Sequence, residues 1–331
     1  MPRKTQNILV LGGAGYIGSH TCKALSQQGY TPVVYDNFSS GNKSLVKWGP
    51  CVEADIHDTD KLKQTLTKYA PLAVMHFAAS IAAGESVYYP EKYYANNVAG
   101  SNSVLTAIKE SNVRHFIFSS SAAVYGALKQ QPIKESAEKN PINPYGRSKL
   151  IVEQMLGDFE TACGLKHVSL RYFNAAGADP AGEIGNVQKN PTNLVPVLVH
   201  VQAGILKKLE VFGTNYNTPD GTAIRDYIHV SDLADGHIAA LKYLLAGGNS
   251  DAINLGTGRG ASVREVIRSM EHASGKKVRF KDVARRAGDP PKLVADVKKA
   301  RRVLGWTAKR VDIDTITRTA WNWHLEYGKN Y

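Results

Sequence analysis

The residues best suited to chemistry are Tyr145 and Lys149, a tyrosine and a lysine four positions apart in the stretch YGRSK. On a helix they share a face, so the ammonium group can lie near the phenol and lower its pKa, which is normally about 10. A serine hydroxyl, that of Ser121, could bind the oxygen atom that the tyrosine protonates or deprotonates. This set predicts a general acid/base that works beside a hydride transfer.

The spacing alone is weak support, because Tyr88 and Lys92 repeat it beside Pro90, in an unpromising context. Order along the chain separates the two pairs. Tyr145 and Lys149 head a predicted helix after Pro144, and Ser121 ends an apolar strand. Residues at the carboxyl ends of parallel strands converge in an open sheet. We therefore predict that Tyr145 is catalytic rather than an exposed helix residue.

A glycine-rich loop, residues 12–18 (GGAGYIG), follows the first apolar run. Glycines there permit a tight turn, close approach of backbone to a pyrophosphate, and close packing of helix on strand. The following helix directs its N–H groups and positive dipole end at the phosphates. Asp36 ends the second strand, where its carboxylate can accept both ribose hydroxyls and would repel a 2′-phosphate. The pattern predicts NAD rather than NADP. Asp55, before Ile56, could contact adenine or cap the helix predicted at 58–69.

Apolar runs alternate with helical periodicity along the first half of the chain. We predict an α/β fold, a doubly wound parallel sheet covered by helices on both faces, with a smaller C-terminal α/β lobe. Residues 1–173 are expected to form the nucleotide-binding domain and residues 174–331 mainly the substrate lobe, with the chain recrossing between them. The predicted strands span residues 7–11, 31–35, 51–54, 72–77, 115–119, 168–172, 209–212 and 252–255; the predicted helices span 58–69, 91–111, 145–163, 194–207 and 230–245.

Composition excludes several classes of protein. The 331 residues are 43% hydrophobic and 21% charged, an ordinary globular balance. Three widely spaced cysteines argue against a disulfide framework and a zinc site, and suit the cytoplasm. No apolar run is long enough for a signal peptide or membrane helix. The net charge of +12 raises nucleic acid as a partner. However, the densest basic run, 298–302, is typical of a solvated helix face ending at Gly305.

Longer strings of the sequence carry a resemblance to a known family. Together with Ser121, Tyr145 and Lys149, the chain resembles the extended short-chain dehydrogenase/reductases, in particular their UDP-hexose 4-epimerase branch. The strings are residues 12–20, 36–41 (DNFSSG), 76–79 (HFAA), 84–87 (GESV), 93–98 (YYANNV), 171–174 (RYFN), 225–230 (RDYIHV) and 288–290 (GDP).

The resemblance implies a tightly held NAD and a UDP-sugar substrate. Tyr145 would take the C4 hydroxyl proton while the hydride passes to NAD; the 4-keto sugar would turn over and be reduced on its other face. The implied cofactor contacts are Gly12, Gly15, Tyr16, Ile17, Gly18, Asp36, Asn37, Ser40, Asp55, Ile56, Phe77, Ala78, Ala79, Asn96, Tyr145, Lys149 and Tyr172. The implied substrate contacts are Ser121, Tyr145, Asn174, Asn193, Leu194, Phe212, Arg225, Arg286 and Asp289. Guanidinium groups match phosphate oxygens, which supports the two arginines.

Three positions depart from the commonest pattern of that branch. Ile81 replaces a lysine that contacts the cofactor, and Ala123 replaces a threonine that reaches the sugar. Leu293 stands where a tyrosine restricts some members to non-acetylated sugars and a smaller residue admits N-acetylhexosamines. We therefore expect weak or moderate turnover of UDP-N-acetylglucosamine.

Other functions stay open. A UDP-pentose or UDP-uronate 4-epimerase fits the same residues, whereas sugar dehydration needs an acid/base pair that Ala122 and Ala123 lack. A non-catalytic NAD-binding regulator is a remote alternative, against which the intact Ser121, Tyr145 and Lys149 set argues. The resemblance also implies a homodimer through the helices at 91–111 and 145–163. No metal, nucleic acid or membrane partner is expected.

Overall fold

The computed structural model describes residues 6–286 and 289–328, so Gly288 of the GDP string lies outside the described residues. The strands are β1 Asn7–Leu11, β2 Thr31–Asp36, β3 Cys51–Glu53, β4 Ala73–His76, β5 His115–Ser119, β6 Lys166–Tyr172, β7 Asn174–Ala176, β8 Leu209–Phe212, β9 Ile224–Arg225, β10 Tyr227–His229, β11 Asp251–Leu255, β12 Ala261–Ser262, β13 Phe280–Val283 and β14 Lys292–Leu293. The helices are α1 Tyr16–Gln27, α2 Thr59–Tyr69, α3 Ala83–Tyr88, α4 Pro90–Tyr93, α5 Gly100–Lys109, α6 Pro144–Cys163, α7 Leu194–Gln202, α8 Val230–Leu245, α9 Val263–Ser274, α10 Lys298–Leu304 and α11 Ile313–Tyr327. Short 3₁₀ turns span Lys43–Leu45 and Ala122–Tyr125, and a π turn spans Tyr94–Ala99.

A seven-stranded parallel sheet organises the molecule, in the order β11-β6-β5-β4-β1-β2-β3. The order reverses at β1, which lies between β4 and β2. A ligand cleft is expected outside the carboxyl ends of strands at such a switch point. The predicted α/β fold with a parallel sheet is confirmed.

The central strands are apolar at successive positions because helices cover both faces of the sheet. On one face Ile8 and Val10 pack in a cluster that includes residues of α1 and α8. On the other face Leu9 and Leu11 pack with residues of α2, α5 and α6. All four of these β1 side chains are buried. The rigid sheet thereby holds the loops after β1, β2, β4 and β5 in place.

Smaller sheets follow β6, and they are β10 with β7, β12-β9-β14, and β13 with β8. A third cluster of buried side chains includes Leu198 of α7, Val266 of α9 and Ile316 of α11. Between these elements the chain returns to the large sheet, because β11 pairs with β6 and α8 packs against α1. No helix in the described ranges has the length and apolar character needed to span a bilayer.

Three local expectations from the sequence differ from the structure. The strand predicted at 51–54 as buried is the edge strand β3, with Cys51 and Glu53 exposed, because it pairs only with β2. The helix predicted to reach 207 ends at Gln202, shortly before Gly204 adopts a φ of +77°. The stretch predicted as one helix at 91–111 is divided into α4, the π turn and α5. By contrast, α10 ends at Gly305 in the left-handed conformation, as predicted.

Candidate active site

Ser121, Tyr145 and Lys149 meet at the carboxyl end of β5. Ser121 opens the turn after β5, and its hydroxyl accepts a hydrogen bond from the backbone N–H of Ala123 at 3.1 Å. The amide side chain of Asn143 caps α6, which places Tyr145 in the first helical turn. The Tyr145 phenol hydrogen-bonds with Ser121, and Lys149 Nζ lies 5.9 Å from the centre of the Tyr145 ring. The structure thus brings together the three side chains that the sequence singled out.

The charge state of this trio differs from the expectation. Burial raises the pKa of Tyr145, and the hydrogen bond with Ser121 offsets this only in part. The expected lowering of this pKa by Lys149 is therefore wrong for the protein alone. Lys149 Nζ instead donates to the Ser119 carbonyl at 2.7 Å and lies 4.9 Å from the centre of the Phe118 ring. At rest, Tyr145 holds its proton.

Lys149 is itself close to losing its charge at neutral pH. Burial lowers its pKa to about 7, and the negative charge of Glu153 opposes this decrease.

Tyr88 and Lys92, which have the same spacing in the sequence, have different surroundings. Tyr88 is exposed, and Lys92 forms an ion pair with Glu85 at 2.9 Å. Only the pair on α6 combines burial with a serine partner.

The glycine loop between β1 and α1 has no space for side chains. Gly12 has a φ of +76°, and a Cβ there would lie 2.6 Å from the backbone nitrogen of Ala78. A Cβ at Gly18 would overlap the carbonyl oxygen of Gly12. The first turn of α1 follows Gly15, which supplies no side-chain cap. This leaves backbone N–H groups and the positive end of the helix dipole for an anion, so the loop fits the pyrophosphate of a dinucleotide.

Asp36 ends β2, where a ribose would be expected. Its two carboxylate oxygens accept the backbone N–H groups of Ala14 at 2.9 Å and Phe38 at 2.8 Å. Burial raises the pKa of Asp36, and these two hydrogen bonds oppose that change. A carboxylate fixed in this position, next to the glycine loop, fits two ribose hydroxyls and disfavours a phosphate.

Asp55 follows β3 and accepts hydrogen bonds from Asn37 Nδ2 and His57 Nδ1, each at 2.6 Å. The cap of α2 is Asp58, whose side chain accepts the N–H of Lys61 at 2.9 Å. The interpretation of Asp55 as the helix cap is therefore wrong. Asp55 and Asn37 remain on the surface beside exposed Ser40 and buried Ile56.

The loop after β4 carries Phe77, Ala78 and Ala79, all half-buried. The Phe77 ring lies 4.7 Å from the ring of His237 on α8, centre to centre. Tyr172, at the end of β6, shares a hydrogen bond with the hydroxyl of Ser119. Tyr16, half-buried like Ile17, donates from its phenol to the carbonyl of Gly177 at 2.6 Å.

Sequence reasoning selected Asn96 in the π turn and missed its neighbour Asn97. Asn97 is buried; its Oδ1 accepts the N–H of Ser80 at 2.8 Å, and its Nδ2 donates to the Ser80 carbonyl and to Ser148 Oγ, both at 3.0 Å. Asn96 Nδ2 donates to Asn97 Oδ1 at 3.1 Å. Asn97 thereby ties the loop after β4 to α6. The signal that could have found it is the Asn-Asn pair in a helix with an apolar face.

The side chains assigned to the nucleotide by resemblance form two pairs. Arg225 on β9 makes an ion pair with Asp289, and its Nη1 donates to the Ile224 carbonyl at 2.8 Å. The guanidinium of Arg286 lies 3.8 Å from the centre of the Phe212 ring. The pairs are connected, because the N–H of Asp289 donates to the Arg286 carbonyl at 3.3 Å.

Three further side chains assigned to the substrate by resemblance also belong to the second half of the chain. Asn174 starts β7 and donates from Nδ2 to the Asp226 carbonyl at 3.4 Å. Asn193 is the exposed residue before α7, and Leu194 is its first residue. Asn193 makes no side-chain capping bond at the start of α7.

The three departures from the commonest pattern have different surroundings. Ile81 is half-exposed and Ala123 half-buried. Leu293 on β14 is half-buried and packs against a cluster that includes Ala122 and Tyr125, next to Ser121. Leu293 and Ala123 therefore both belong to the surroundings of the turn that begins at Ser121.

Comparisons with known proteins agree with this geometry. The family model "NAD dependent epimerase/dehydratase family" matches residues 8–256. A UDP-glucose 4-epimerase of Rhizobium leguminosarum bv. trifolii is 48% identical over 97% of this chain and 98% of its own length. The crystal structure of UDP-glucose 4-epimerase from Brucella ovis in complex with NAD is 53% identical, with a TM-score of 0.94 over 96% of this chain and 98% of that chain. The UDP-Glc/GlcNAc 4-epimerase of Campylobacter jejuni is 39% identical, with a TM-score of 0.86 over 97% of this chain and 99% of that chain.

Proposed function

The chain belongs to the NAD dependent epimerase/dehydratase family, and from the geometry of its site we infer that it inverts C4 of a UDP-hexose and so interconverts UDP-glucose and UDP-galactose. The observation that carries this proposal is the contact of Tyr145 with Ser121 and Lys149 at the sheet edge that also holds the glycine loop and Asp36. Bound NAD supplies the hydride acceptor and donor and, when oxidised, a positive charge that favours the Tyr145 phenolate.

Tyr145 is the proposed acid/base for the C4 oxygen. Its phenolate takes the C4 hydroxyl proton and becomes the phenol, which later returns the proton, while the Ser121 hydroxyl orients that oxygen. The Lys149 ammonium, together with the positive charge of oxidised NAD, favours the Tyr145 phenolate. Because the protein's raised Tyr145 pKa holds the proton at rest, the proton leaves readily only when positive charge is present nearby.

The nucleotide end of the substrate is the proposed anchor, carried mainly by residues 174–331. Inversion requires the keto sugar to turn over while the rest of the molecule stays fixed. The Arg225–Asp289 pair and the Arg286–Phe212 stack supply two guanidinium groups for the diphosphate and an aromatic ring for the uracil. Asn174, Asn193 and Leu194 complete this surface. Residues 1–173 form the proposed NAD domain.

The test is incubation of purified holoenzyme with UDP-galactose without added NAD. We expect UDP-glucose at equilibrium and no net NADH, because the hydride removed is returned. Accumulation of NADH would indicate a dehydrogenase, and a 4-keto-6-deoxy product a dehydratase. Retained NAD without any turnover of UDP-galactose would indicate either the non-catalytic regulator or a UDP-pentose or UDP-uronate 4-epimerase, and the same assay with those UDP-sugars separates the two. Each of these outcomes would overturn the proposal.

UDP-N-acetylglucosamine is a second candidate substrate, favoured by Leu293 of β14, which packs against the turn that begins at Ser121. Leucine is smaller than the tyrosine that excludes N-acetyl groups. The Campylobacter jejuni protein, a structural relative, is a UDP-Glc/GlcNAc 4-epimerase. Weak or moderate turnover of UDP-N-acetylglucosamine is therefore expected at high enzyme concentration.

A homodimer in the cytoplasm is the proposed state of the protein. The helical run 90–109 lies beside α6, and Val87, Tyr88 and Tyr89, which precede the run, are exposed. Apolar surface of this kind suits burial against a second copy. The three cysteines are free thiols, which suits a reducing compartment. Light scattering after size exclusion would give a mass near 72 kDa for a dimer, or about twice the chain's 36.0 kDa; a mass near 36 kDa would refute it.

A further inference from the structure

A buried ion pair lies beneath the proposed catalytic residues. Arg171 on β6 donates from Nε to Glu153 Oε1 at 2.9 Å and from Nη2 to Oε2 at 2.5 Å. The two side chains are 3% and 8% exposed. Ser120, the residue before Ser121, also donates to Glu153 Oε1, at 2.6 Å. The carboxylate of Glu153 on α6 is therefore held by three donors.

The guanidinium is fixed from its other side as well. Arg171 Nη1 donates to the Tyr125 phenol oxygen at 3.0 Å and to the Glu135 carbonyl at 3.3 Å. The Tyr125 phenol in turn donates to Asn254 Oδ1 at 2.7 Å. A buried ion pair commonly stabilises a fold no better than apolar side chains of the same volume. Its place in this protein therefore calls for a reason other than stability.

That reason lies one helical turn away. Glu153 follows Lys149 by four residues on α6, so both side chains lie on the same helix face. Lys149 Nζ donates to the Ser119 carbonyl, and Ser119 is followed by Ser120, which donates to Glu153. The strand end that carries Ser121 is thus bonded to both residues.

Other titratable groups around Lys149 and Glu153 do not supply a competing charge at neutral pH. Burial lowers the pKa of His76 on β4 to about 3 and also lowers that of His167 on β6. Burial raises the pKa of the neighbouring phenols, which keeps them protonated; these are Tyr93, Tyr125, Tyr145 and Tyr172. The Glu135 carboxylate accepts the N–H of Asn254 at 3.0 Å, and the charge that acts on Lys149 is that of Glu153.

We propose that Glu153, fixed by Arg171, is a positioning residue that keeps Lys149 charged and so acts on the proton transfer through Lys149. Burial favours the neutral amine, and the fixed carboxylate one turn away opposes it. The hydrogen bond from Ser120 links the same carboxylate to the backbone that presents Ser121. This inference rests on the proposed function, in which the charge on Lys149 favours the Tyr145 phenolate.

The test measures the titration of Lys149 directly, in holoenzyme labelled with [13Cε]lysine. The resonance absent from a Lys149→Arg sample identifies the residue. In Glu153→Gln the titration midpoint of Lys149 should fall by about one to two pH units, the interaction expected for a unit charge one helical turn away at an effective dielectric constant of about 20. The alkaline limb of the kcat profile for UDP-galactose should move down with it.

Glu160→Gln is the matched control, since Glu160 lies further along α6 and pairs with Lys166 at 2.7 Å. Its Lys149 midpoint should equal that of the wild type. An unchanged midpoint in Glu153→Gln, with or without lower kcat, would reduce Glu153 to a structural role and overturn the proposal. Should Arg171 without its partner prevent folding, Glu153→Gln combined with Arg171→Met removes both charges, and the Lys149 midpoint should again fall, by less than in Glu153→Gln because the positive charge of Arg171 is lost as well. The titration needs no turnover, so its result is independent of whether the wild type inverts UDP-galactose.

Discussion

Replacing Tyr145 by phenylalanine removes one oxygen atom and leaves the ring in place. The interaction lost is the hydrogen bond between the phenol and Ser121. The edge-to-face contact with Tyr93, at 6.5 Å between ring centres, and the bond from the Tyr145 N–H to Ser86 Oγ at 3.2 Å both persist. One neutral hydrogen bond contributes about 1 kcal/mol, so the melting temperature should fall by only about 2–4 °C.

The catalytic loss should be far larger than this structural loss. A positioned general acid/base contributes about 10²–10⁴ in rate, or about 2.7–5.5 kcal/mol of activation free energy. Neither of the other two side chains can replace the Tyr145 phenol as the acid/base. The Ser121 hydroxyl is a much weaker acid, and the Lys149 ammonium donates to the Ser119 carbonyl. We expect kcat to fall at least about 10²-fold in Tyr145→Phe. KM for UDP-galactose should change little, since the anchors lie elsewhere.

The assay is the initial rate of UDP-glucose formation by holoenzyme from UDP-galactose, with thermal melting in parallel. Tyr93→Phe is the matched control: it deletes a hydroxyl from the adjacent ring, one that donates to the Ala82 carbonyl at 2.6 Å and to Glu85 at 2.8 Å. Its kcat should stay within about threefold of the wild type, because the two partners of this hydroxyl, Ala82 and Glu85, are not part of the proposed catalytic set. A Tyr145→Phe enzyme with kcat within tenfold of the wild type, or an equal loss in Tyr93→Phe, would refute the acid/base assignment.

Three further predictions follow from other parts of the molecule. Arg225→Met should raise KM for UDP-galactose about 10–100-fold, since charge-assisted bonds contribute about 1.5–3 kcal/mol, whereas Arg285→Met, whose guanidinium is held by Asn215, should not; equal effects would contradict the phosphate role. Leu293→Tyr should abolish turnover of UDP-N-acetylglucosamine and spare UDP-galactose in the same assay. Burial lowers the pKa of His237 to about 4, so its unfolded form binds protons more readily and stability should decrease as pH falls from about 6.5 towards 4. Urea unfolding across that range should show a flatter profile in His237→Gln, and an unchanged slope would exclude this group.

Much of the fold of the first half could be predicted because it follows from local sequence patterns. The boundaries of β1 and β5 match the apolar runs, and Gly12 and Gly18 fill positions that other residues could not. Such features depend on residues close in the chain, so periodicity and glycine spacing reveal them. The edge position of β3 could not be predicted from the sequence, because a short strand has the same local pattern whether it pairs with one neighbouring strand or with two.

The candidate site was only partly predictable, for the same reason. Tyr145 and Lys149 were recognisable from their spacing and order, whereas Asn97 was indicated only by the Asn-Asn pair and the Glu153–Arg171 pair by nothing local. Their partners are distant in sequence: Asn97 bonds to Ser148, and Arg171 to Glu153. A polar side chain in a helix looks solvated until packing shows that it is buried and which donor faces it.

The sequence by itself determined the alternation of strands and helices in the first half of the chain, the phosphate loop and the three catalytic residue types, because each depends on residues that are close together in the chain. Tertiary structure alone decided the protonation of that trio. Desolvation depends on every atom packed around a group, so the burial that raises the pKa of Tyr145 and lowers that of Lys149 exists only once the helices have closed over the sheet.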